Sequence, residues 1–369
     1  MSTSEKKNTA VHYHTYLELD KILNAQHPKS VEEGTPAHDE TLFIILHQVY
    51  ELWFKQIIHE LDSVMAMFED DLIDEREIST VIHRLGRIIE IQHLLIAQIR
   101  VMETMTPLDF LDFRNYLFPA SGFQSFQFRV VETMMGLRRE QRVTYNNQQF
   151  DSEFDETNRS LLKKAELRRS LLQLVNEWLE RTPFLDIGDF HFAPAYSRAV
   201  QNMLANEKET IETSELLSPE MKAMRIKMVE DTYAYFASVL DQKRYAELLA
   251  QGVVKLSHRA TVAALLINLY RDEPILQMPF RLLAHVMDIE EAFTSWRYRH
   301  AQMVLRMIGR KTGTGGSSGH DYLNETAKKH HIFSDLMNIS TLLIPRSELP
   351  KLPDDLRLKL GFHFTALQS

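Results

Sequence analysis

Residues 39–68 read DETLFIILHQVYELWFKQIIHELDSVMAMF, a stretch without glycine or proline. Its apolar residues recur at steps of three and four, which is the spacing along one face of an α-helix. That face comprises Leu42, Ile45, Leu46, Val49, Trp53, Ile57, Leu61 and Val64. The stretch therefore predicts one long helix from about Asp39 to Phe68, whose apolar side other elements must cover.

The helical period continues on both sides of this stretch. It predicts further helices at residues 13–23, 74–103, 106–116, from about 123, 158–181, 197–213, 218–249, 256–271, 280–308 and 322–339. Polar or glycine-rich segments predict loops at 26–37, 146–157 and 312–319. No segment keeps the two-residue alternation of a strand. The expected fold class is all-α, a multi-helix bundle.

The domain organisation follows from the same pattern. We expect residues 1–10 to be a disordered tail and residues 11–369 to form a single helical domain. Within that domain, residues from about 146 to 250 are expected to form a small helical subdomain that is inserted in the chain and appended to the bundle.

Composition narrows the classes of function. The chain has 369 residues, a net charge of −9 and no cysteine, which excludes disulfides, thiolate metal sites, iron–sulfur clusters and cysteine nucleophiles. The acidic balance argues against a nucleic-acid partner. One basic stretch, RVVETMMGLRREQR at 129–142, is explained as well by a solvated helix face. With no signal peptide and no apolar run near the roughly 20 residues of a membrane span, we expect a soluble, cytoplasmic protein without a membrane partner.

Sixteen histidines without a cysteine make histidine the candidate ligand for a metal or a haem. His47 lies on a largely apolar helix face, where an imidazole must find a partner or line a cavity. His300 shares its predicted helix face with Trp296, Met303, Val304 and Met307, a dry wall that suits a haem ligand. Taken singly, either histidine is more often a satisfied core residue than part of a site.

Two other features favour a site without establishing one. The segment KTGTGGSSGHDY at 311–322 concentrates four glycines, and it is either a surface linker or a loop that closes over an anionic substrate group. Arg114 follows Phe110 and Phe113 at helical spacing; it either binds a carboxylate from an apolar pocket or forms a surface salt bridge. No zincin motif and no nucleophile elbow occurs, and His330-His331 has no carboxylate at a spacing that suggests a metal site.

Several motifs together resemble the tryptophan 2,3-dioxygenase family, and they occur in the family's order over residues 12 to 346. They are YHTYLELDKILNAQ, HDETLFIILHQVYELWFKQIIHELDS, ETMTPLDFLDFRNYLFPASGFQSFQFR, WLERTP, WRYRHAQMVLRMIGRKTGTGGSSGHDYL and ISTLLIPR. The resemblance implies a helical homotetramer with one haem b per subunit, active as Fe(II). It also implies insertion of O2 across the indole C2–C3 bond of L-tryptophan to give N-formyl-L-kynurenine, the first step of the kynurenine pathway.

The resemblance also assigns roles to residues. It implies that His300 is the axial iron ligand, that His47 hydrogen-bonds the indole N–H, and that Arg114 binds the substrate carboxylate. Thr314 is expected at the amino-acid end of the substrate, and Tyr13, Tyr16 and Leu17 are expected to reach a neighbouring subunit's site. The expected indole and haem walls comprise Phe43, Phe110, Phe113, Leu117, Ser121, Gly122 and Trp296.

Some members of the family carry a second, non-catalytic tryptophan site. Its pattern is matched here by Glu75, Trp178, Arg181, Thr182 and Pro183, although position 73 is Ile where animal enzymes have arginine.

Two alternatives to the dioxygenase remain. One is a helical scaffold that has lost catalysis, which predicts damage at His47, Arg114 or His300. The other is a related haem enzyme that hydroxylates an aromatic amino acid.

Overall fold

The computed structural model describes residues 10–69, 75–144, 150–151, 154–311 and 319–361. Its α-helices are α1 (Tyr13–Tyr16), α2 (Leu19–Leu23), α3 (Lys29–Glu32), α4 (Glu40–Glu69), α5 (Glu75–Met102), α6 (Pro107–Arg114), α7 (Phe126–Met135), α8 (Glu156–Leu167), α9 (Leu171–Glu180), α10 (Phe192–Thr213), α11 (Pro219–Leu240), α12 (Gln242–Ala250), α13 (His258–Leu269), α14 (Gln277–Ile308), α15 (Gly319–Lys329), α16 (Ser334–Asn338) and α17 (Asp354–Leu360). Short 3-10 helices occur at Asn115–Leu117, Gly122–Gln124, Arg139–Gln141, Pro274–Leu276, Ile339–Leu342 and Arg346–Glu348. The two strands of the described chain, β1 (Asp186–Ile187) and β2 (Phe190–His191), form an antiparallel hairpin.

Three long helices form the centre of the molecule. α5 packs against α4 on one side and against α14 on the other, and α14 also contacts α15. Of the apolar side predicted for residues 39–68, α4 buries Leu46, Ile57, Leu61 and Val64, whereas Ile45 is exposed. Because each helix buries one apolar face against its neighbours, the bundle forms a closed core without a sheet. The all-α prediction is confirmed.

Capping side chains divide two segments that the periodicity predicts as single helices. In place of 158–181 the structure has α8 and α9, separated where Ser170 forms a capping box with Gln173. In place of 218–249 it has α11 and α12, because the Asp241 carboxylate accepts hydrogen bonds from the backbone N–H groups of Lys243 and Arg244. A side chain that satisfies the first N–H groups starts a new helix without breaking the apolar period.

The ends of the chain differ from the prediction in similar ways. The predicted helix at 13–23 is split at Glu18, whose φ of 53° lies in the left-handed region. The predicted helix at 322–339 is split into α15 and α16. There the Glu290 carboxylate accepts hydrogen bonds from the N–H groups of Ile332 and Phe333, which leave the helix.

The loop predictions have mixed outcomes. The predicted loop at 26–37 contains the short helix α3, and the β1–β2 hairpin was missed because two-residue strands have no periodicity to detect. Half of 146–157 and most of 312–319 lie outside the described residues, as do residues 1–9. In the part of the chain that is described, no helix is both long enough and apolar enough to cross a membrane. The inserted subdomain at 146–250 stays a prediction.

Candidate active site

A cavity lies between α4, α6, α7, α14 and α15. It measures about 1180 Å³, including its open mouth, and its walls are mostly apolar. Its lining comprises Phe43, His47, Phe110, Arg114, Leu117, Ala120, Ser121, Gly122, Phe123, Phe128, Arg129, Glu132, Trp296, Arg297, His300, Val304, Ile308, Gly319, Tyr322, Leu323 and Thr326. A concave, apolar space with a few polar groups is the usual form of a small-molecule site.

His47 contributes a hydrogen-bond acceptor to this cavity. Its Nδ1 lies 2.7 Å from the carbonyl oxygen of Phe43, one turn earlier on α4. A carbonyl oxygen can only accept, so the ring proton is assigned to Nδ1, and Nε2 of the neutral ring is left as an acceptor. Burial lowers the pKa of His47, which keeps the ring neutral near pH 7.

The aromatic wall predicted from the sequence is present. The Phe43 ring centroid lies 4.2 Å from that of His47 and 5.7 Å from that of Phe110, and both phenylalanines line the cavity. Phe113 differs from the expectation. It is fully buried and packs behind Phe43 and Phe110, with centroid distances of 5.6 and 5.3 Å, so it supports the wall rather than facing the cavity.

His300 lies on α14 in the cavity lining. Burial lowers the pKa of His300 to about 4, so its ring is neutral at pH 7 and offers a nitrogen lone pair. Its Nδ1 is buried and has no hydrogen-bond partner among the described residues. The Trp296 ring lies beside it, with a centroid distance of 5.3 Å and an angle of 32° between the planes.

These features fit a haem. A neutral imidazole in a dry wall is the form in which histidine binds iron, and its buried, unpartnered nitrogen marks a polar group whose surroundings are incomplete without a ligand. Leu117, Ser121, Gly122 and Trp296 line the same space, as the sequence predicts. His47 and His300 are thus brought to one cavity from two different helices.

Arg114 is the last residue of α6 and is half-buried in the cavity lining. Its position depends on a well-defined helix start. Thr106 and Asp109 form a capping box at the N-terminus of α6, and Pro107 occupies the first turn. α6 therefore carries Phe110 and Arg114, one turn apart, into the same wall.

The sequence reasoning missed a buried charge cluster at the edge of the cavity. The Glu132 carboxylate accepts hydrogen bonds from Arg129 (3.1 Å), Arg142 (2.5 Å) and Arg297 (3.0 Å), and His330 Nδ1 lies 3.5 Å from it. Because the His330 Nε2 accepts from the N–H of Val143 at 3.0 Å, the Nδ1 of the neutral ring carries the proton and faces Glu132. Glu132, Arg129 and Arg297 line the cavity.

The cluster corrects one interpretation of the sequence. The basic stretch at 129–142 is neither a solvated face nor a nucleic-acid patch at its two ends, since Arg129 and Arg142 are 5% and 7% exposed. His330 and His331 do have carboxylate partners, Glu132 and Glu290, but these lie far away in the chain. Burial alone would raise the pKa of Glu132, yet Arg142, His330, Arg129 and Arg297 hold it well below its ordinary value.

The remaining candidate residues lie elsewhere. Thr314 lies outside the described residues. Tyr13 and Tyr16 are 72% exposed and Leu17 is 36% exposed, and none of the three lines the cavity of its own chain. Trp178 packs edge-on against Phe68 at 6.3 Å, near the end of α9, and Thr182 is buried. The side chain of Glu75 is not described, so the second site stays a prediction.

A family profile and individual relatives of known name both indicate the same family. The family profile described as tryptophan 2,3-dioxygenase matches residues 2–343. The chain is 49% identical over 358 residues to the tryptophan 2,3-dioxygenase of Bdellovibrio bacteriovorus, covering 97% of this chain and 100% of that protein. It is 46% identical to the enzymes of the same name from Alteromonas mediterranea (97% and 99% covered) and Dictyostelium discoideum (99% and 91%).

Proposed function

The chain belongs to the tryptophan 2,3-dioxygenase family, and we propose that the cavity between α4 and α14 is where it binds haem and L-tryptophan. The chain is a dioxygenase: it adds both atoms of O2 across the indole C2–C3 bond of L-tryptophan and releases N-formyl-L-kynurenine. The observation that carries the site is the convergence of two neutral histidines, His47 and His300, on one apolar cavity.

His300 is the residue that would hold the iron of haem b, and Trp296, Leu117, Ser121 and Gly122 line the space that the group would occupy. Bound haem would supply the iron at which O2 reacts. Phe113 supports the wall of the cavity, because its buried ring packs against Phe43 and Phe110 and keeps them in place. The three guanidiniums around Glu132 make the adjoining end of the cavity cationic.

The substrate is held by groups of matching chemistry. The Nε2 of neutral His47 accepts a hydrogen bond from the indole N–H, and Phe43 and Phe110 supply the apolar wall for the ring. Arg114 binds the carboxylate through its planar fork of donors, and Thr314 is assigned to the amino-acid end. His47 orients the indole and is not required to remove its proton, because a lowered pKa makes this ring a weak base.

The active assembly is proposed to be a homotetramer. Tyr13, Tyr16 and Leu17 expose apolar surface at the start of the described chain. In the assembly, a partner subunit would cover these side chains and remove them from water. As the family resemblance implies, the side chains would then lie at the cavity of that partner subunit.

The test is a pair of observations on haem-reconstituted protein. We expect a Soret band and, after addition of L-tryptophan, O2 and ascorbate, the formation of N-formylkynurenine. The His300→Ala variant should lose stable haem binding, whereas His285→Ala, a change on the same helix outside the cavity, should keep it. Haem retention by His300→Ala would disprove the ligand assignment, and tyrosine hydroxylation without N-formylkynurenine would replace the dioxygenase by the hydroxylase.

A further inference from the structure

Glu51 connects two walls of the cavity without lining it. It lies on α4, one helical turn after His47. Its carboxylate accepts hydrogen bonds from the Ser125 hydroxyl at 2.6 Å and from the Gln127 amide at 2.9 Å. The same Gln127 amide also donates to the backbone carbonyl oxygen of Glu51, at 2.8 Å. Three hydrogen bonds therefore join positions more than seventy residues apart in the chain.

The segment that Glu51 holds is itself part of the cavity. Ser121, Gly122 and Phe123 line it immediately before Ser125, and Phe128 and Arg129 line it immediately after Gln127. The Ser125 hydroxyl also caps α7, where its oxygen accepts from the N–H of Phe128 at 3.4 Å. The contact with Glu51 thus lies at the start of α7, in the middle of one cavity wall.

The environment of the contact distinguishes it from an ordinary surface pair. All three hydrogen bonds are partly buried, and both carboxylate oxygens of Glu51 are engaged. Hydrogen bonds to an ionised acceptor are stronger than those between neutral groups. The negative charge also lies close enough to His47 to raise its pKa in part against burial.

We propose that Glu51 is a positioning residue for tryptophan oxidation: by holding Ser125 and Gln127 it locks the His47 wall of the cavity onto the wall formed by residues 121–129, and so fixes the width of the space in which the indole lies. This inference rests on the proposed function. It follows from the geometry, because these hydrogen bonds join α4, which carries His47, directly to the start of α7, and a shift between the two would displace His47 relative to residues 121–129.

The test compares three single variants and one double variant of the haem-loaded enzyme. Glu51→Ala removes all side-chain contacts, and we expect kcat/KM for L-tryptophan to fall about 30-fold, mainly through KM, since small misplacements cost of this order. Glu51→Gln still accepts from Ser125 and should lose only about threefold. Gln127→Met removes the amide donor at nearly constant length. In the Glu51→Ala/Gln127→Met double variant the fold-loss should be smaller than the product of the two single losses, because both changes break the side-chain hydrogen bond between Glu51 and Gln127.

A second measurement does not depend on turnover. Amide hydrogen exchange of the protein without tryptophan should become faster at residues 121–129 in Glu51→Ala and stay unchanged in Glu90→Gln, an exposed acid-to-amide control on α5. Unchanged exchange and unchanged KM in Glu51→Ala would overturn the proposal, as would additive effects in the double variant. If exchange at residues 121–129 is faster in Glu51→Ala but the wild-type protein does not oxidise tryptophan, the proposed function fails while the lock between the two walls stands.

Discussion

At the scale of single residues, the tautomer of His47 determines what the cavity recognises. Its Nδ1 is committed to the Phe43 carbonyl oxygen, so only an acceptor remains for a ligand. Burial lowers the pKa of the ring, and the acceptor is therefore present near pH 7 and is lost when the ring is protonated in acid. The indole N–H, a donor on an apolar ring, is complementary to this arrangement.

Arg114 provides a prediction at the same scale. We expect Arg114→Met to raise KM for L-tryptophan by about tenfold to 100-fold, because a charged hydrogen bond contributes roughly 1.5–3 kcal/mol. Steady-state kinetics with tryptophan and with tryptamine, which lacks the carboxylate, checks the assignment. The tryptamine kinetics should not change. If Arg114→Met weakened both compounds equally, Arg114 would not be the carboxylate partner.

The sequence is informative about some of these residues and silent about others. His47, Arg114 and His300 are polar groups on apolar helix faces, and such a position requires a partner or a cavity. Glu132 gave no such sign, because its neighbours in sequence include arginine and threonine. Its partners Arg142, Arg297 and His330 come from three other segments, and only the packing of α7 against α14 and α15 brings them together.

At the scale of elements, the Glu132 cluster joins α7, α14 and the segment after α15. We predict that Glu132→Gln lowers the free energy of unfolding by about 3–5 kcal/mol, because it leaves buried guanidiniums without their carboxylate. Urea denaturation measures this. Asp272→Asn breaks the exposed pair with Arg346 and should cost no more than about 1 kcal/mol. Equal losses in the two variants would contradict a special role for the cluster.

The pH dependence of this stability has a definite sign. The pKa of Glu132 in the folded chain lies well below its ordinary value of 4.5. Its contribution is therefore fully present above about pH 4.5 and is lost as the pH falls through the lowered pKa. Glu132→Gln should flatten the acid limb of the stability curve.

Gly136 ends α7 and gives a prediction about the backbone. Its φ is 126°, and a Cβ there would lie 2.9 Å from the Cβ of Leu172. Gly136→Ala should cost about 2–5 kcal/mol, from the strained backbone and the overpacking together. Gly188→Ala, at φ 56° with no atom within 4 Å, should cost only about 1–2 kcal/mol. Thermal melts of both variants separate the cost of the strained backbone from the cost of overpacking. If Gly136→Ala lowered the melting temperature no more than Gly188→Ala, the close contact with Leu172 would be ruled out.

At the scale of the whole molecule, the site is expected to be completed by a neighbouring subunit. If the site is shared as proposed, deletion of residues 1–17 should reduce turnover, because it removes the side chains of Tyr13, Tyr16 and Leu17 that a partner's cavity would receive. Co-expression of the deletion variant with His47→Ala should restore part of the activity, since each mixed assembly contains intact cavities that receive intact N-terminal segments. Mixed assemblies no more active than either variant alone would contradict a shared site, and sedimentation equilibrium tests for four subunits.

The long helices could be predicted from the sequence more accurately than the breaks between helices. α4 and α14 match their predicted spans within a few residues because a long apolar stripe has few alternatives. The breaks at Ser170 and Asp241 were missed, since a cap changes the backbone path without changing the apolar period. The break after α15 depends on Glu290, which is distant in sequence.

The stacking of Trp296 beside His300 also has a spectroscopic consequence. The chain has only three tryptophans, and of these Trp296 alone lines the cavity among the described residues. Its fluorescence should be quenched when a strongly absorbing ligand enters the cavity, and a Trp296→Phe variant shows how much of the signal comes from this residue. The protein therefore carries an optical probe of cavity occupancy that needs no label.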